Sequence, residues 1–404
     1  MKILEVLTYY RPHVSGLTIY VERMSRALVR MGHEVTILTS QAEKDWPREE
    51  TMDGVRVKRV PVAFRISKGV IMPTFGHYAT VLGWNADVMH LHLPQFDAPG
   101  LALRGRIFRK PVVISYHSDL QLPPGLFNRV ADNVIHTANR MAGSLAQAIV
   151  TYTRDFGTHS PYLSSYAGKK LHIIPPPVEL TPCTDEHAAA FAEQHGLRGR
   201  KVIGISARLA AEKGIEVLLR ALPAIAEAFP EVLVLHACPP GLGEEAYAAM
   251  LEPLFQQSGN HYQRLGTLHG ADLTAFYKNL DCLVLCSLNN TETFGLVQIE
   301  AMMNGVPCIA SDLPGVRQPV TLTSMGEIAP IGDHEALAQK VIQVLRHPEN
   351  YQADPAVIAQ AFSPDENAAA YTRLFEGLMA GQFDPSLPEP PAYQRLRDMR
   401  KKQM

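Results

Sequence analysis

The stretch that decides the fold of this chain, residues 291–307, reads TETFGLVQIEAMMNGVP. It stands between two apolar runs, Asp281 to Leu288 and Cys308 to Ala310, which are typical of buried strands. Gly295 separates its polar beginning from a segment in which apolar residues recur at helical spacing. The stretch therefore predicts a loop that opens into a helix between two parallel strands.

The start of this predicted helix is a candidate anion site, because the first backbone NH groups of a helix lack partners within it. Glu292 lies just before the helix, and Glu300 leans back toward its N-terminus from one turn inside, so both carboxylates can face one cavity. Alternatively, the two acids only complement the helix dipole, at about 0.3 to 1 kcal/mol each. Carboxylates beside exposed amides suit a ligand with hydroxyls and phosphates, such as a nucleotide sugar. The amides are those of Phe294, Gly295, Leu296 and Val297.

Composition limits the class of protein. A chain of 404 residues, 46% of them hydrophobic, can bury more than one core. The formal charge of -2 and the pI near 6.8 show no bias toward nucleic acid, so no nucleic-acid partner is predicted. The five cysteines lie mostly in apolar runs, which favours reduced buried thiols. Without a signal peptide's apolar core at the start or a membrane-length apolar run, we expect a cytoplasmic protein.

Strand and helix patterns alternate along both halves of the chain, which predicts α/β architecture with parallel sheets covered on both faces. Two such halves of about 180 residues each exceed the usual single domain. We therefore expect two Rossmann-like domains facing each other across a cleft, with a boundary at Pro175-Pro176-Pro177. The predicted divisions are residues 1–178, residues 179–363, a helix at 364–381 and a Pro-rich, basic tail at 382–404.

Several side chains stand at strand ends, where open parallel sheets bind ligands. Gly16 ends the first strand–loop segment, and a glycine before a helix lets the backbone approach a diphosphate, although an ordinary helix turn is the alternative. His117 follows a strand directly, either at the rim of a cleft or satisfied by its neighbours. His90 and His92 share a strand face, but no acid or cysteine motif adjoins them, so no metal site is predicted.

Two residues in the second half of the chain are unfavourable at the helix start where they stand. Lys213 and Gly214 stand at a predicted helix start, where a cation opposes the helix dipole and glycine lowers helix propensity. Such violations are often functional. Arg208 lies five residues earlier in the same loop. The two cations are therefore candidates to hold an anionic ligand.

Glu292 and Glu300 have seven residues between them, with Phe294-Gly295 inside and Ala301 and Gly305-Val306-Pro307 after them. This pattern resembles the acidic signature of the family 4 retaining glycosyltransferases. The resemblance implies the GT-B fold, with a C-terminal helix that crosses back to the first domain. It also implies retaining, metal-independent transfer of a hexose-type sugar from a nucleotide diphosphate sugar to a hydroxyl acceptor, with no cofactor. Alternatives are a GT-B epimerase or phosphorylase, or a non-catalytic nucleotide-sugar-binding subunit.

The resemblance also assigns roles. Arg208 and Lys213 would hold the donor diphosphate, Glu300 the ribose, and His117 and Glu292 the sugar. The catalytic candidates are thus His117, Glu292, Arg208 and Lys213. The substrate-binding candidates are Gly16, Arg208, Lys213, Gly266, Thr267, Leu268, Glu292, Phe294, Gly295, Leu296, Val297 and Glu300, with residues 266–268 at the nucleotide base.

The acceptor is a glycan, a lipid-linked sugar or a small molecule, and it would be bound by the first domain. A basic cluster there, Arg104, Arg106, Arg109 and Lys110, is suggestive of a membrane-bound acceptor. Peripheral contact with an anionic membrane at its inner face is the location that such an acceptor would imply. The basic tail, Arg395 to Lys402, is expected to be solvated and disordered, with lipid contact as the alternative.

Overall fold

The computed structural model describes residues 1–66, 69–119, 126–239, 244–382 and 389–403. The chain divides into two compact units. The first contains Met1–Pro177 and Ser363–Pro390, and the second contains Val178–Phe362 and Pro391–Met404. Each unit is built around its own, largely parallel sheet.

The first unit has an eight-stranded sheet in the order β10-β9-β8-β7-β1-β2-β4-β3, parallel except for β3, and a separate antiparallel pair of strands, β5 and β6. Central strands such as β7 are buried throughout, as expected of a sheet covered on both faces. The strands are β1 Lys2–Val6, β2 Glu34–Gln41, β3 Glu49–Met52, β4 Val55–Pro61, β5 Phe64–Ile66, β6 Gly69–Ile71, β7 Val88–Leu93, β8 Val112–Tyr116, β9 Ala148–Thr151 and β10 Leu171–Ile173.

The helices of the first unit are α1 Gly16–Arg30, α2 Phe75–Asn85, α3 Ala98–Phe108, α4 Leu126–Leu145, α5 Arg154–His159 and α14 Pro364–Met379. Helix α14 comes from the C-terminal part of the chain and packs on α1. The Tyr371 hydroxyl lies 2.8 Å from the Tyr20 hydroxyl, and Arg30 forms an ion pair with Asp365 at 2.6 Å. The predicted return of the C-terminal helix to the first domain is confirmed.

The second unit has a six-stranded parallel sheet in the order β13-β12-β11-β14-β15-β16. The chain runs outward from β11 to β13 and then returns to the other side of β11 with β14. The carboxyl ends of β11 and β14 are thus the point where ligands bind in such sheets. The strands are β11 Lys201–Ser206, β12 Val232–Ala237, β13 Tyr262–Gly266, β14 Cys282–Leu285, β15 Cys308–Ser311 and β16 Gly326–Ala329.

Helix α10 joins parallel strands β14 and β15, as residues 291–307 predicted. Its residues Ile299 and Met302 are fully buried, which fixes the helix on the core. The helices of this unit are α6 Asp185–Gln194, α7 Ile215–Ala228, α8 Glu245–Ser258, α9 Gly270–Lys278, α10 Leu296–Met302, α11 Gln318–Thr323, α12 His334–Arg346, α13 Pro355–Ala361 and α15 Pro391–Gln403.

The expectation of a disordered basic tail was wrong for its final part. Residues from Pro391 to Gln403 form α15, which packs on α11 and α13. Tyr393 and Leu396 are buried, so two apolar side chains hold the basic helix in place. Residues 383–388 of the proline-rich stretch lie outside the described part of the chain. None of the helices in the described residues is long and apolar enough to cross a bilayer.

The cysteines are free thiols, and those of β14, its exit and β15 are buried, as predicted. Burial raises the pKa of Cys286 to about 12, so this thiol is protonated and unreactive at neutral pH. It donates to the carbonyl of Gly214 at 3.1 Å. Cys286 is therefore a structural link between the β14 exit and the start of α7.

Candidate functional site

The loop after β11 brings Lys213 to the carboxyl edge of the second sheet. It ends in a single 3-10 turn, Ala211–Lys213, and Gly214 then adopts φ +62° before α7 begins. A Cβ at Gly214 would stand 2.3 Å from the carbonyl oxygen of Cys286. Only glycine fits here, so the glycine that opposed helix propensity is explained by close packing against the β14 exit.

Lys213 and Glu292 form the central ion pair of the site. Lys213 Nζ lies 2.6 Å from Glu292 Oε2, and both side chains are about one-fifth exposed. The other carboxylate oxygen, Oε1, accepts from the backbone NH of Gly295 at 3.1 Å. Glu292 therefore links a cation from the β11 loop to the start of α10. The structure brings these three predicted site residues together.

The amide of Gly295 is not an unpaired donor, because Glu292 already accepts from it. The expectation that this NH is free for a ligand was wrong in this structure, since the carboxylate three residues earlier already accepts from it, just ahead of α10. Leu296 and Val297 follow and are half-buried. The Phe294 side chain is fully buried against Phe362, with ring centroids 5.6 Å apart, and belongs to the core.

Glu300 is far more buried than Glu292, with 7% of its surface exposed. Its Oε2 accepts from the hydroxyl of Tyr277 on α9 at 2.8 Å. Burial, together with the charge of Glu300, raises the pKa of Tyr277 well above its usual value, so the hydroxyl stays protonated and donates. Tyr277 fixes the Glu300 carboxylate, and nothing in the sequence around it indicated this role.

Arg208 lies in the same loop as Lys213, but its guanidinium is held by other acids. It forms ion pairs with Glu244 and, at 3.3 Å, with Glu212. Glu244 lines a cavity of about 420 Å³ at the carboxyl ends of β12 and β13, and Gly266 lines it as well. Thr267 is exposed beyond it and Leu268 is half-buried. The predicted base-binding loop thus borders an open cavity.

A buried histidine, His236, holds the strand end from which Arg208 emerges. Its Nε2 donates to the carbonyl of Ala207 at 2.8 Å, and its Nδ1 accepts from the Tyr262 hydroxyl at 2.6 Å. Burial lowers the pKa of His236 to about 4, so the ring is neutral at pH 7. This residue was missed from the sequence, because its role depends on contacts across three strands.

In the first unit, His117 stands at the carboxyl end of β8 as predicted, but its ring is already bonded on both sides. Nε2 lies 2.9 Å from His92 Nδ1, and Nδ1 is hydrogen-bonded to the Tyr152 hydroxyl. Only 8% of the residue is exposed. The alternative of a strand-end histidine satisfied by its neighbours describes this ring in the structure.

Gly16 is the first residue of α1, and open space surrounds the position that a Cβ would take. Ser15 caps the helix, since its hydroxyl accepts from the NH of Thr18 at 3.2 Å and Thr18 Oγ1 accepts from the NH of Ser15 at 2.7 Å. Packing therefore does not explain the glycine at position 16, and its contact with a diphosphate stays a prediction.

The sequence interpretation of His90 and His92 missed an acid. Glu5 on β1 is fully buried, and its Oε2 lies 2.8 Å from His90 Nδ1 and 2.7 Å from His92 Nε2. These three are metal-type ligands. However, ligand atoms about 2.0 to 2.1 Å from one metal in tetrahedral geometry stand about 3.3 Å apart. The separations here are shorter than that, and the contact of His92 Nε2 with Glu5 is a hydrogen bond, so in this structure the three side chains form a polar cluster.

The comparisons with known proteins cover both units. Residues 189–356 match the family Glycosyl transferases group 1, and residues 15–177 match the Glycosyl transferase 4-like domain. An uncharacterized glycosyltransferase of Methanocaldococcus jannaschii, MJ1607, is 29% identical over 79% of this chain and 82% of its own length. The phosphatidyl-myo-inositol mannosyltransferase of Mycobacterium leprae is 25% identical over 93% of this chain and 96% of its own.

Among solved structures, Anabaena Alr3699/HepE in complex with UDP and glucose superposes with a TM-score of 0.72 at 17% identity, over 93% of this chain and 99% of that one. Sucrose-phosphate synthase from Thermosynechococcus elongatus gives a TM-score of 0.73 at 20% identity, over 94% and 100%. The fold, the two family matches and the glutamate stretch on α10 agree. The chain belongs to the group 1 glycosyltransferases of the family 4 type, with the GT-B fold.

Proposed function

We propose that this glycosyltransferase moves a hexose-type sugar from a nucleotide diphosphate sugar to a hydroxyl acceptor, with retention at the anomeric carbon and without a metal ion. The observation that carries the proposal is the Lys213–Glu292–Gly295 arrangement at the carboxyl edge of β11 and β14. A cation, a carboxylate and a helix start meet there, at the point of the sheet where ligands bind.

The chemistry needs positive charge at the leaving group. The bond between the sugar C1 and the phosphate oxygen breaks, and its electron pair stays on the departing diphosphate. The acceptor oxygen forms the new bond to C1 on the same face, and its proton passes to the diphosphate. Lys213 and Arg208 would stabilise the growing negative charge, as fixed cations do without reorganisation.

The two glutamates suit different hydroxyls. Glu292 is partly exposed and still has lone pairs to accept from sugar hydroxyls beside the α10 start. Glu300 is held by Tyr277 and offers a rigid carboxylate for the ribose. The adaptable acceptor Glu292 lies ahead of α10 and the rigid acceptor Glu300 lies inside it, an arrangement that fits a donor with a sugar, a diphosphate and a ribose.

The relatives support a hexose donor. One is named phosphatidyl-myo-inositol mannosyltransferase, and one solved structure of the same fold is a complex with UDP and glucose. The acceptor of this chain, by the same proposal, is a glycan, a glycolipid or a small molecule. His117 of the first unit is proposed to hold the donor sugar.

A peripheral membrane location is part of the proposal. Helices α2 and α3 pack together through the rings of Trp84 and Phe108, with centroids 5.3 Å apart. On their outer side, Trp84 is 65% exposed and Ile107 66%. Arg106 and Arg109 are exposed on the same helix end. Apolar side chains that enter the interface beside arginines match an anionic lipid surface on the cytoplasmic side.

The test replaces Lys213 with alanine and supplies a panel of nucleotide diphosphate sugars with hydroxyl acceptors. We expect turnover to fall by about 10² to 10³, because a group that stabilises the leaving charge is lost. The matched control is Lys278→Ala, which also breaks a lysine–carboxylate pair in this unit, with Asp185 at 2.8 Å, but on the surface. Wild-type turnover in Lys213→Ala would overturn the assignment.

The product identifies the reaction. Proton NMR of the new anomeric signal separates a retained glycoside from an inverted one. Hydrolysed or epimerised donor without a glycoside would favour a related GT-B enzyme instead. Tight calorimetric binding of a donor without any turnover would favour a binding subunit.

A further inference from the structure

A continuous chain of buried hydrogen bonds leads from Glu5 on β1 to His117 on β8. Glu5 Oε2 lies 2.7 Å from His92 Nε2, and His92 Nδ1 lies 2.9 Å from His117 Nε2. The last link joins His117 Nδ1 to the hydroxyl of Tyr152. Glu5, His92 and His117 are all buried, so water does not compete for these bonds.

The Glu5 carboxylate determines which atom donates and which accepts in each of these hydrogen bonds. An ionised carboxylate only accepts, so His92 must have its proton on Nε2. A neutral His92 then has a bare Nδ1, which accepts from a proton on His117 Nε2. His117 in turn has a bare Nδ1, which accepts from the Tyr152 hydroxyl. One buried charge thus dictates which nitrogen is protonated on two successive rings.

The protonation states agree with this order. Burial raises the pKa of Glu5, but its interactions with His90 and His92 outweigh burial and lower the pKa to about 2. Burial and the neighbouring His90 lower the pKa of His92 to about 4. Burial and His92 lower the pKa of His117 well below its usual value. At neutral pH a carboxylate therefore faces two neutral rings.

Glu5 also contacts His90, and the hydrogen bonds that continue from His90 lead away from His117. His90 Nε2 is hydrogen-bonded to Ser115 Oγ at 2.8 Å, and Ser115 Oγ to the Tyr371 hydroxyl at 2.5 Å. That branch ends on helix α14, in the packing of the unit. The His92 branch ends at the strand edge where the candidate residue stands.

We propose that Glu5 and His92 are positioning residues that hold His117 in the tautomer protonated on Nε2. His117 Nδ1 is then a hydrogen-bond acceptor, occupied by Tyr152 in this structure and available to a sugar hydroxyl that replaces it. The effect of this tautomer on turnover rests on the proposed function, whereas the tautomer itself does not. A substrate hydroxyl that reaches this ring meets an acceptor, never a donor.

The first measurement uses the wild-type protein with ¹⁵N-labelled histidine. The ring nitrogens of His117, assigned by the loss of their signals in His117→Gln, are expected to show a protonated Nε2 and a bare Nδ1. The opposite tautomer, or an imidazolium at pH 7, would overturn the proposal whether or not the protein transfers sugar.

The second measurement compares two buried histidines of β7. His92→Gln places an amide near Glu5 but removes the acceptor that faces His117, whereas His90→Gln perturbs the same carboxylate on the other branch. We expect His92→Gln to mix the His117 tautomers and to lower kcat about tenfold or more, while His90→Gln leaves the tautomer unchanged. Glu5→Gln, which keeps the shape of the side chain, should act like His92→Gln.

Three results would contradict the proposal: an unchanged tautomer in His92→Gln, an unchanged kcat in a variant whose tautomers are mixed, or equal losses of kcat in the two β7 variants. The last result would mean that the network only supports packing. If the wild-type protein turns over no donor at all, the proposed function fails, and the tautomer measurement still decides the role of Glu5 and His92.

Discussion

Replacing Gly295 with alanine tests why residues 291–307 fold as they do. Gly295 adopts φ +76°, and a Cβ there would stand 2.3 Å from Leu285 Cδ2 and 2.9 Å from Gln298 Nε2. Gln298 is fully buried and donates to the carbonyls of Phe294 and Val316, both at 2.9 Å, so it cannot retreat without losing partners. The added methyl group therefore costs both backbone strain and packing.

Gly305, at the other end of α10, separates these two costs. It has φ +79°, almost the same backbone, but nothing lies within 4 Å of its Cβ position. Gly305→Ala should lose about 1 to 2 kcal/mol of unfolding free energy, from the left-handed backbone alone. Gly295→Ala should lose that amount plus about 1 to 3 kcal/mol for overpacking.

Urea unfolding followed by circular dichroism measures the two losses, with amide hydrogen exchange over β14 and β15 as the local readout. We expect faster exchange in those strands for Gly295→Ala than for Gly305→Ala. Equal losses in the two variants would refute the reasoning, because they would show that Leu285 and Gln298 do not confine the loop.

Three further outcomes follow from the second unit and from the surface of the first. Tyr277→Phe should lower unfolding free energy by about 1 to 3 kcal/mol in urea titrations, because buried Glu300 loses its 2.8 Å donor; unchanged stability would contradict the contact. The native pKa of His236 is lowered from 6.5 to about 4, so stability present above pH 6.5 should fall as the pH drops toward 4, by up to about 3 kcal/mol, and this slope should flatten in His236→Gln. Trp84→Ser should weaken sedimentation with phosphatidylglycerol vesicles, whereas Met250→Ser, at a 52% exposed site in the second unit, should not; equal binding by both variants would argue against the α2–α3 surface.

The elements were predictable where the pattern is local. Strands rich in aliphatic residues, such as Val88–Leu93 and Lys201–Ser206, fit the predicted alternation of strands and helices, because strands covered on both faces of a sheet are mostly aliphatic. Glu49–Met52 was missed, since an edge strand with the sequence EETM is polar and half-exposed. The basic tail was assigned to solvent because charge dominates its sequence, while Tyr393 and Leu396 decide its packing.

The partners of the site residues were not predictable, because they are distant in sequence. Glu5 is 87 positions from His92, and Tyr277 is 23 positions from Glu300. A single acid in an apolar strand gives no sign of which strand it will face. Residues that break a local rule, such as Lys213, could be recognised from the sequence. Residues whose partners come close only in the folded chain could not.

The two candidate cations of the second unit, Lys213 and Arg208, are already paired with carboxylates. A donor diphosphate that binds them must therefore take the place of those carboxylates. Lys213 and Glu292 are each about one-fifth exposed, and a diphosphate oxygen in place of the carboxylate would again pair the lysine with a negative charge. Exchanging the carboxylate for a diphosphate oxygen therefore costs little at Lys213. Glu292 would stay in place after the exchange, because the Gly295 amide still donates to its other oxygen. The same carboxylate that balances the lysine before a donor binds would then be free to accept from a hydroxyl of that donor.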